Sequence, residues 1–178
     1  LTESGMSIER NDTLYDRFYD RVIFPIQGIT GQTIGFGGRT MQKESNIAKY
    51  LNSPETVLYQ KSKVLYGIYQ SRKAITQNDS CFLVEGYTDV LSMHQCGVEN
   101  VVASSGTSLT TEQIRLIRRF TQNLTVLYDG DSAGIKASLR GIDMILTEGL
   151  NVKVCLLPDG EDPDSFARKN SAIAFVDY

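Results

Sequence analysis

The sequence predicts an α/β fold with a doubly wound, mainly parallel four-stranded sheet that is flanked by helices. From residue 81 onward, short apolar runs alternate with helix-like stretches, and acidic residues follow three of the runs. Apolar runs of this length are typical of buried parallel strands. Successive β-α units of this kind imply right-handed crossovers. A partial α+β subdomain with a β-hairpin is expected before the sheet.

The hairpin is the first clear element. Residues 1–20 are polar and mixed, and 15–21 fits either a helix end or an extended lead-in. Residues 22–26 are strand-like, and a turn-forming stretch separates them from an alternating run at 32–38. This pattern indicates a β-hairpin. Pro25 places the first strand near an edge or a bulge, because proline cannot donate a ladder hydrogen bond.

The stretch before residue 80 holds a predicted helix. Residues 40–60 look irregular, with a break at Ser53-Pro54. An apolar stripe at helical spacing follows, and its members are Val64, Leu65, Ile68 and Ile75. The stripe predicts a helix, and residues 76–80 are predicted to be a polar linker.

A regular alternation of strands and helices fills the rest of the chain. Thr110 with Gln113 fits a capping box at the start of the second helix of this part. The predicted elements are strand 81–84, helix 88–96, strand 100–103, helix 111–121, strand 124–128, helix 132–148, strand 151–157 and a short helix from 164.

Acidic residues follow three of these strands, as the pairs Glu85 and Asp89, Asp129 and Asp131, and Asp162 and Asp164. The carboxyl ends of parallel strands line one edge of a sheet, where ligands bind, so six carboxylates would converge there. Two negative charges about 5 Å apart repel by roughly 3 kcal/mol at an effective dielectric constant near 20. A cation between them would relieve this repulsion. The sequence therefore predicts a hard-metal site and phosphoryl-transfer chemistry.

Each acidic pair also fits an ordinary structural role. Asp89 suits a helix start, where the helix dipole favours negative charge. Residues 129–131 suit a turn with a helix N-cap. Pro163 suits the first position of a helix that follows Asp162. Only their shared placement at three strand ends favours a common site.

Composition limits the kinds of protein this chain can be. Its 178 residues are 41% hydrophobic, which is enough for a core, and no apolar run approaches the roughly 18 residues that span a bilayer. The sequence begins with Leu1 and has no signal-peptide pattern at its start, so it is expected to be an excised fragment without a signal peptide. No membrane partner is expected. Three dispersed cysteines are expected to be free thiols. With His94 as its single histidine, the chain lacks ligands for a zinc site, and magnesium or manganese is favoured.

Charge is shared unevenly along the chain. Residues 1–80 carry ten Lys and Arg against eight Asp and Glu, or +2, whereas residues 81–178 carry eight against thirteen, or −5. A mildly basic half that holds phosphates beside an acidic half that holds metal suits a nucleic-acid enzyme.

The strand-end motifs also resemble a known domain. Residues 84–90 (VEGYTDV) and 128–134 (YDGDSAG) look like the Glu and Asp-x-Asp signature of the Toprim domain, which topoisomerases and primases share. Further collinear segments resemble the RNA-polymerase core of bacterial DnaG-type primases. These segments are 15–18, 21–26, 34–39, 49–55, 65–67, 103–107 and 157–164.

The resemblance implies a template-directed synthase of RNA primers. In such primases the carboxylates that match the six acidic residues hold two or more Mg²⁺ or Mn²⁺ ions. A primer 3′-hydroxyl attacks the α-phosphate of the incoming ribonucleotide, and pyrophosphate leaves. Glu85, Asp129 and Asp131 are expected to be catalytic residues and direct ligands, although Glu85 could instead be a general base. Asp89, Asp162 and Asp164 are expected to act through water or on a second ion.

The same resemblance implies a basic surface for nucleic acid and nucleotide. Its expected members are Arg39, Lys49, Tyr50, Asn52 and Lys61. Arg39 suits bidentate phosphate contact, the lysines suit point contacts with phosphate, and Tyr50 could stack on a base, although a half-buried structural role fits it as well. The expected partners are a single-stranded DNA template, ribonucleoside triphosphates, the RNA primer and, through a domain absent here, the replicative helicase.

The expected domains are a partial N-terminal subdomain at 1–79, a Toprim metal-binding domain at 80–170 and the start of a helical subdomain at 171–178. The expected location is the bacterial cytoplasm, at the replisome or nucleoid. Other classes of protein stay open. The Toprim domain of a topoisomerase or nuclease would use the same acidic pairs, and a fragment could bind metal and nucleic acid without activity alone.

Overall fold

The computed structural model describes residue 2 and residues 4–42, 47–106, 108–128, 141–158 and 160–178. The chain divides into two compact units, Leu1–Lys61 and Ser62–Tyr178. The first holds antiparallel strands and the second a four-stranded parallel sheet. This mixed α/β architecture confirms the predicted fold class.

The first unit begins with a hairpin that the sequence left open. Strand β1 (Ser7–Arg10) pairs antiparallel with β2 (Thr13–Asp16). The two residues between them, Asn11 and Asp12, have φ angles of 50° and 57°. A two-residue turn with positive φ at both positions matches the right-handed twist of the strands, and Asn and Asp tolerate this conformation.

Three further strands form the main sheet of the first unit, with β4 (Thr33–Thr40) between β3 (Arg21–Gln27) and β5 (Tyr50–Asn52). The pairing of β3 with β4 confirms the predicted hairpin. Pro25 lies on β3, an edge strand, and the register shifts between Ile26 and Gln27, as its position predicted. Strand β5 has only three residues, too few for a periodic sequence signal.

Two glycines of β4 let aromatic rings approach the strand closely. A Cβ atom on Gly35 would lie 2.9 Å from Cγ of Tyr59, and one on Gly38 would lie 2.7 Å from Cδ1 of Phe18. Phe18 also packs edge-on against Phe36, with ring centroids 6.3 Å apart. Because residues of one strand alternate between faces, Gly35 and Gly38 open opposite faces of the sheet to these rings.

The second unit alternates strands and helices around one parallel sheet with the order β7-β6-β8-β9. A 3-10 turn, Lys61–Lys63, contains the last residue of the first unit and the first two residues of the second. The elements that follow are α1 (Ile68–Asn78), β6 (Cys81–Val84), α2 (Tyr87–Cys96), β7 (Val101–Ala103), α3 (Thr111–Arg118), β8 (Asn123–Tyr128), helical residues 141–147 (α4), β9 (Asn151–Leu156), α5 (Pro163–Lys169) and α6 (Ala172–Asp177).

These bounds correct two predictions about α1. Val64 and Leu65 precede the helix rather than belong to it, and α1 runs to Asn78, so most of the predicted linker at 76–80 is helical. The helix ends at Asp79, whose φ of 44° is left-handed and stops the helical hydrogen bonding. Residues 132–140 of the predicted fourth helix lie outside the described residues.

The core of the second unit lies on both faces of the sheet. Leu83 of β6 packs on one face with Ile68 of α1 and Ile114 of α3, and Ile145 of α4 joins this cluster. On the other face, Val84 packs with residues of α2, α5 and α6, among them Met93, Phe166 and Phe175. Helices on both faces are the doubly wound arrangement that the sequence predicted.

Strand β9, at one edge of the sheet, is less buried than predicted. The sequence predicted a buried strand at 151–157, yet the side chains of Val154 and Leu156 are 42% and 47% exposed. Strand β7, at the other edge, is buried throughout, so edge position alone does not account for the exposure of β9. Hydropathy alone cannot show which strand of a parallel sheet lies at the edge.

None of the helices within the described ranges is long and apolar enough to cross a membrane. The predicted domain boundaries at residues 79 and 170 remain predictions. The division into two units falls after Lys61, because α1 packs against the parallel sheet.

The glycine contacts of β4 lead to a stability prediction. Gly38→Ala should lower the free energy of unfolding by about 1 to 3 kcal/mol, because its Cβ would overlap Phe18 and meet Cδ of Arg21 at 3.1 Å. Gly28→Ala is the matched control, since the nearest atom to its Cβ lies 3.6 Å away. The control should be neutral or raise stability by about 0.4 to 1 kcal/mol. Urea denaturation followed by circular dichroism measures both, and equal effects would contradict the close packing at Gly38.

Candidate metal site and nucleic-acid surface

The carboxyl ends of the four parallel strands meet at one edge of the sheet. Strand β6 occupies an interior position, and Glu85 is the first residue after it. The Glu85 side chain is exposed, while Val84 beside it is 2% exposed. A buried strand end thus places a carboxylate at the solvent boundary. Strand β8, next to β6, ends at Tyr128, directly before Asp129.

The backbone of Glu85 is fixed by the turn that follows β7. The amides of Ser104 and Ser105 donate to the carbonyl oxygens of Val84 and Glu85, at 3.3 and 3.0 Å. Ser105 has a φ of 56° and Gly106 one of 84°, so this turn is left-handed. No role of these serines is predicted from the sequence. The Ser-Ser-Gly sequence after an apolar run is a turn signal that could have pointed to them.

Asp89 lies in the first turn of α2. Its Oδ2 accepts a hydrogen bond of 2.8 Å from the amide of Gly86, the N-cap residue. This bond satisfies one of the amides that a helix start leaves unpaired. The interaction fixes the Asp89 carboxylate at the start of α2, beside the residue that follows Glu85.

Asp162 caps α5. Its Oδ1 accepts a 2.7 Å hydrogen bond from the amide of Ser165, and the amide of Asp162 donates back to Oγ of Ser165 at 3.0 Å. Pro163 occupies the first turn of α5, as the sequence predicted. The Asp162 side chain is exposed, so one oxygen caps the helix at the border with solvent.

Asp164 connects α5 to α2. Its Oδ1 accepts hydrogen bonds from the hydroxyl of Ser92 and, at 2.8 Å, from Nε of Arg168. Ser92 lies three residues after Asp89 on α2, and residues three apart share a helix face. The structure therefore brings Asp164 to the face of α2 that carries Asp89.

A further carboxylate, Glu161, precedes the cap of α5. Hydrogen bonds from Lys169 and Ser165 hold the pKa of Glu161 below its usual value, with the lysine the larger cause. This side chain therefore stays ionised beside Asp162 at neutral pH. Glu161 is not among the site residues predicted from the sequence.

Asp129 and Asp131 lie outside the described residues. Among the residues that are described, no group of three or more His, Cys, Asp or Glu side chains is arranged to hold a metal ion. The described carboxylates, Glu85, Asp89, Asp162 and Asp164, present oxygen atoms, the donor type that Mg²⁺ and Mn²⁺ prefer. Their chemistry fits such an ion.

The residues predicted to form a basic surface lie in the first unit. Tyr50 of β5 pairs with Arg39 of β4. The Arg39 guanidinium carbon lies 5.7 Å, and the Lys49 ammonium nitrogen 5.8 Å, from the centroid of the Tyr50 ring. Both cations are attracted by the electron-rich face of the ring. The structure thus brings three of the predicted residues together.

The remaining predicted residues of this surface lie further along the chain. Asn52 follows Tyr50 by two positions on β5 and pairs with Gly37, so both side chains leave the same face of the strand. The Asn52 carbonyl accepts a 3.3 Å hydrogen bond from Nε of Arg17, a cation that the sequence analysis did not single out. Lys61 begins the 3-10 turn, and its amide donates to Glu55 at 3.0 Å.

His94 is not one of the predicted site residues, and it contacts other residues of the second unit. The hydroxyl of Ser71 donates to the carbonyl of Val101 at 2.6 Å, and Nε2 of His94 lies 3.0 Å from the same hydroxyl. Because a hydroxyl has one proton to donate, Nε2 of His94 must donate to it. Burial lowers the pKa of His94, against a smaller opposing effect of Glu99. Its contacts fit a structural residue.

Two family models match the chain in order. The DNA primase catalytic core N-terminal domain matches residues 1–72, and a Toprim-like domain matches residues 82–167. The DNA primase of Clostridium acetobutylicum is 45% identical over an alignment of 178 positions, which covers 99% of this chain and 29% of that protein. The chain thus spans about 29% of the length of the curated relatives it matches.

Solved structures agree with these matches. The crystal structure of a DNA primase domain from Pseudomonas aeruginosa has a TM-score of 0.90 and 40% identity, and the match covers 99% of this chain and 56% of that one. A DnaG primase catalytic domain bound to single-stranded DNA has a TM-score of 0.89 and 40% identity, with 99% and 57% covered. The chain therefore belongs to the family of the DnaG-type DNA primases and corresponds to a part of their catalytic core.

Proposed function

We propose that this chain is the part of a bacterial DNA primase that joins ribonucleotides into short RNA primers on single-stranded DNA. One observation carries the proposal. The parallel sheet brings the end of β6, with Glu85, to the same edge as the ends of β8 and β9, after which the other carboxylates follow in the chain. The order of the two family matches supports it.

The proposed site uses divalent cations, Mg²⁺ or Mn²⁺, held by Glu85, Asp89, Asp129, Asp131, Asp162 and Asp164. Bound there, such ions would lower the pKa of the attacking hydroxyl and neutralise charge on the reacting phosphate. Glu85, which is exposed at the end of an interior strand, is proposed to contact an ion or to accept the hydroxyl proton. Asp129 and Asp131 are proposed as direct ligands because they follow the adjacent strand.

The helix-bound carboxylates are proposed to act at the periphery of the site. At least one oxygen of Asp89, Asp162 and Asp164 accepts a hydrogen bond within the protein, and Oδ1 of Asp164 accepts two. A carboxylate has about four acceptor positions on its two oxygens. These three side chains can therefore hold the helix starts in place and still attract a cation or its water.

Nucleic acid and nucleotide are proposed to bind the surface formed by Arg39, Lys49, Tyr50 and Asn52, with Lys61 nearby in the chain. The pair of cations around one ring suits an anionic backbone beside a base that can stack. The similar DnaG catalytic domain is bound to single-stranded DNA, which supports single-stranded DNA as a ligand of this part of the protein. The triphosphate substrates, the RNA primer and the helicase are proposed partners of the full-length protein in the cytoplasm.

The domain bounds of the proposal follow the sequence. Residues 1–79 would carry the nucleic-acid surface, 80–170 the metal site and 171–178 the start of a helical subdomain. Primer synthesis is proposed for the full-length protein, because the chain is a minor part of its relatives. Alone, these 178 residues are expected to bind metal and nucleic acid.

Glu85 provides the direct test of the enzymatic proposal. In the full-length protein, Glu85→Gln should lower primer synthesis on a single-stranded template by about a hundredfold or more, because it removes a metal ligand or general base. Glu99→Gln is the matched control, since Glu99 is exposed and lies before β7, at the opposite edge of the sheet. The control should stay within about twofold. Normal synthesis by Glu85→Gln would refute the proposed role.

Asp162 allows its capping role to be separated from its proposed metal role. Asp162→Asn keeps a good N-cap and should preserve stability, whereas Asp162→Ala should cost about 1 kcal/mol of unfolding free energy. Both changes remove a carboxylate, so both should weaken Mn²⁺ binding measured by titration calorimetry. If Asp162→Asn bound Mn²⁺ with unchanged affinity, Asp162 would be a helix cap only.

A further inference from the structure

Arg21, the first residue of β3, makes an unusual set of contacts in the first unit. Its Nη1 lies 2.9 Å from the carbonyl oxygen of Ala48 and 3.4 Å from those of Gly38 and Lys49. Hydrogen bonds from a charged donor are about twice as strong as neutral ones. One guanidinium group therefore joins β3 to β4 and to the chain just before β5.

These contacts hold the backbone of Lys49. Lys49 comes at the end of the connection between β4 and β5, and its carbonyl also accepts a 3.1 Å hydrogen bond from the amide of Thr40. The next residue is Tyr50, whose ring centroid lies 5.7 Å from the Arg39 guanidinium carbon and 5.8 Å from the Lys49 ammonium nitrogen. The direction of the Lys49 side chain thus depends on a backbone that Arg21 and Thr40 anchor together.

The stem of Arg21 is fitted to the strand that it crosses. A Cβ on Gly38 would lie 3.1 Å from Cδ and 3.3 Å from Cβ of Arg21, so the glycine leaves the space that the arginine fills. Arg21 is half-buried. All three contacts are made by one nitrogen, Nη1. In a lysine the ammonium nitrogen would stand at the position of Cζ, one bond short of Nη1, so it would not reach all three carbonyl oxygens.

We propose that Arg21 is a positioning residue for single-stranded nucleic acid. Through its bonds to the carbonyls of Ala48 and Lys49, it aims the Lys49 ammonium group at a backbone phosphate beside the Tyr50 ring. The inference rests on the proposed function of this surface. It differs from a direct role, in which the Arg21 guanidinium itself would contact phosphate.

A salt titration separates the two roles. The full-length protein is titrated with a fluorescently labelled oligothymidylate at several salt concentrations, as wild type and as Arg21→Lys, Lys49→Ala and the double variant. Lys49→Ala should lower the slope of log affinity against log salt by about 0.7, the value for one phosphate contact to a single strand. At 0.1 M salt this corresponds to an affinity loss of about fivefold.

Arg21→Lys keeps the positive charge but should remove most of the contribution of Lys49 to binding. The affinity should fall by about threefold to fivefold, and the slope of log affinity against log salt should be smaller. The double variant should bind no more weakly than Lys49→Ala, because both changes remove the same contact. The matched control pairs Arg21→Lys with Lys61→Ala, and these two effects should multiply. If Arg21→Lys unfolds in thermal denaturation, Arg21→Gln, which keeps an amide donor, replaces it in the same cycle.

Three outcomes would overturn the inference. Wild-type affinity of both Arg21→Lys and Arg21→Gln would show that the contacts do not matter for binding. Wild-type binding by Arg21→Lys, with a lower slope for Arg21→Gln, would show a direct phosphate contact of Arg21. If Lys49→Ala bound the oligonucleotide with wild-type affinity, the proposed surface and the inference would both be wrong. If Lys49→Ala weakened binding as expected but the effects of Arg21→Lys and Lys49→Ala multiplied in the double variant, the inference alone would be wrong.

Discussion

The parallel pairing of β6 with β7 and β8 is the constraint on which the candidate metal site depends. Phe82 pairs with Val101 and Thr125, and Leu83 with Val102 and Val126. All strands of this sheet run in one direction, so every strand-to-helix connection leaves from the same edge. Buried side chains on both faces, such as Leu83 and Val84, hold β6 in place and stabilise the fold by about 1.5 to 3 kcal/mol each.

The carboxylates at this edge serve the fold as well as the proposed chemistry. Asp89 and Asp162 satisfy amides at helix starts, and Asp164 links α5 to α2 through Ser92. A helix start favours negative charge near its unpaired amides. The ordinary structural role of each acidic residue and a shared metal role are therefore compatible. The helix caps orient the carboxylates before any ion binds.

The surface of the first unit depends on close packing of aromatic rings against glycines of β4. Glycines in β4 let the rings of Tyr59 and Phe18 pack directly on the strand, which gives a small antiparallel sheet an apolar support on each face. On this support, Arg39 and Lys49 lie around the ring of Tyr50. Two like charges beside one ring repel each other, and an anionic backbone relieves that repulsion. Rigid packing and charge together favour nucleic acid as the ligand.

The sequence alone determined the fold class, the parallel strands, the β3-β4 hairpin and the capping box of Thr110 with Gln113, because local periodicity and turn chemistry carry these signals. It also placed the acidic pairs at strand ends. Only the tertiary structure decided that β9 is partly exposed, that the amide of Ser105 binds the carbonyl of Glu85 and that Arg21 and Arg17 bind backbone carbonyls on either side of Tyr50. These features depend on contacts between residues distant in the chain, and hydropathy and local propensity contain no information about such contacts.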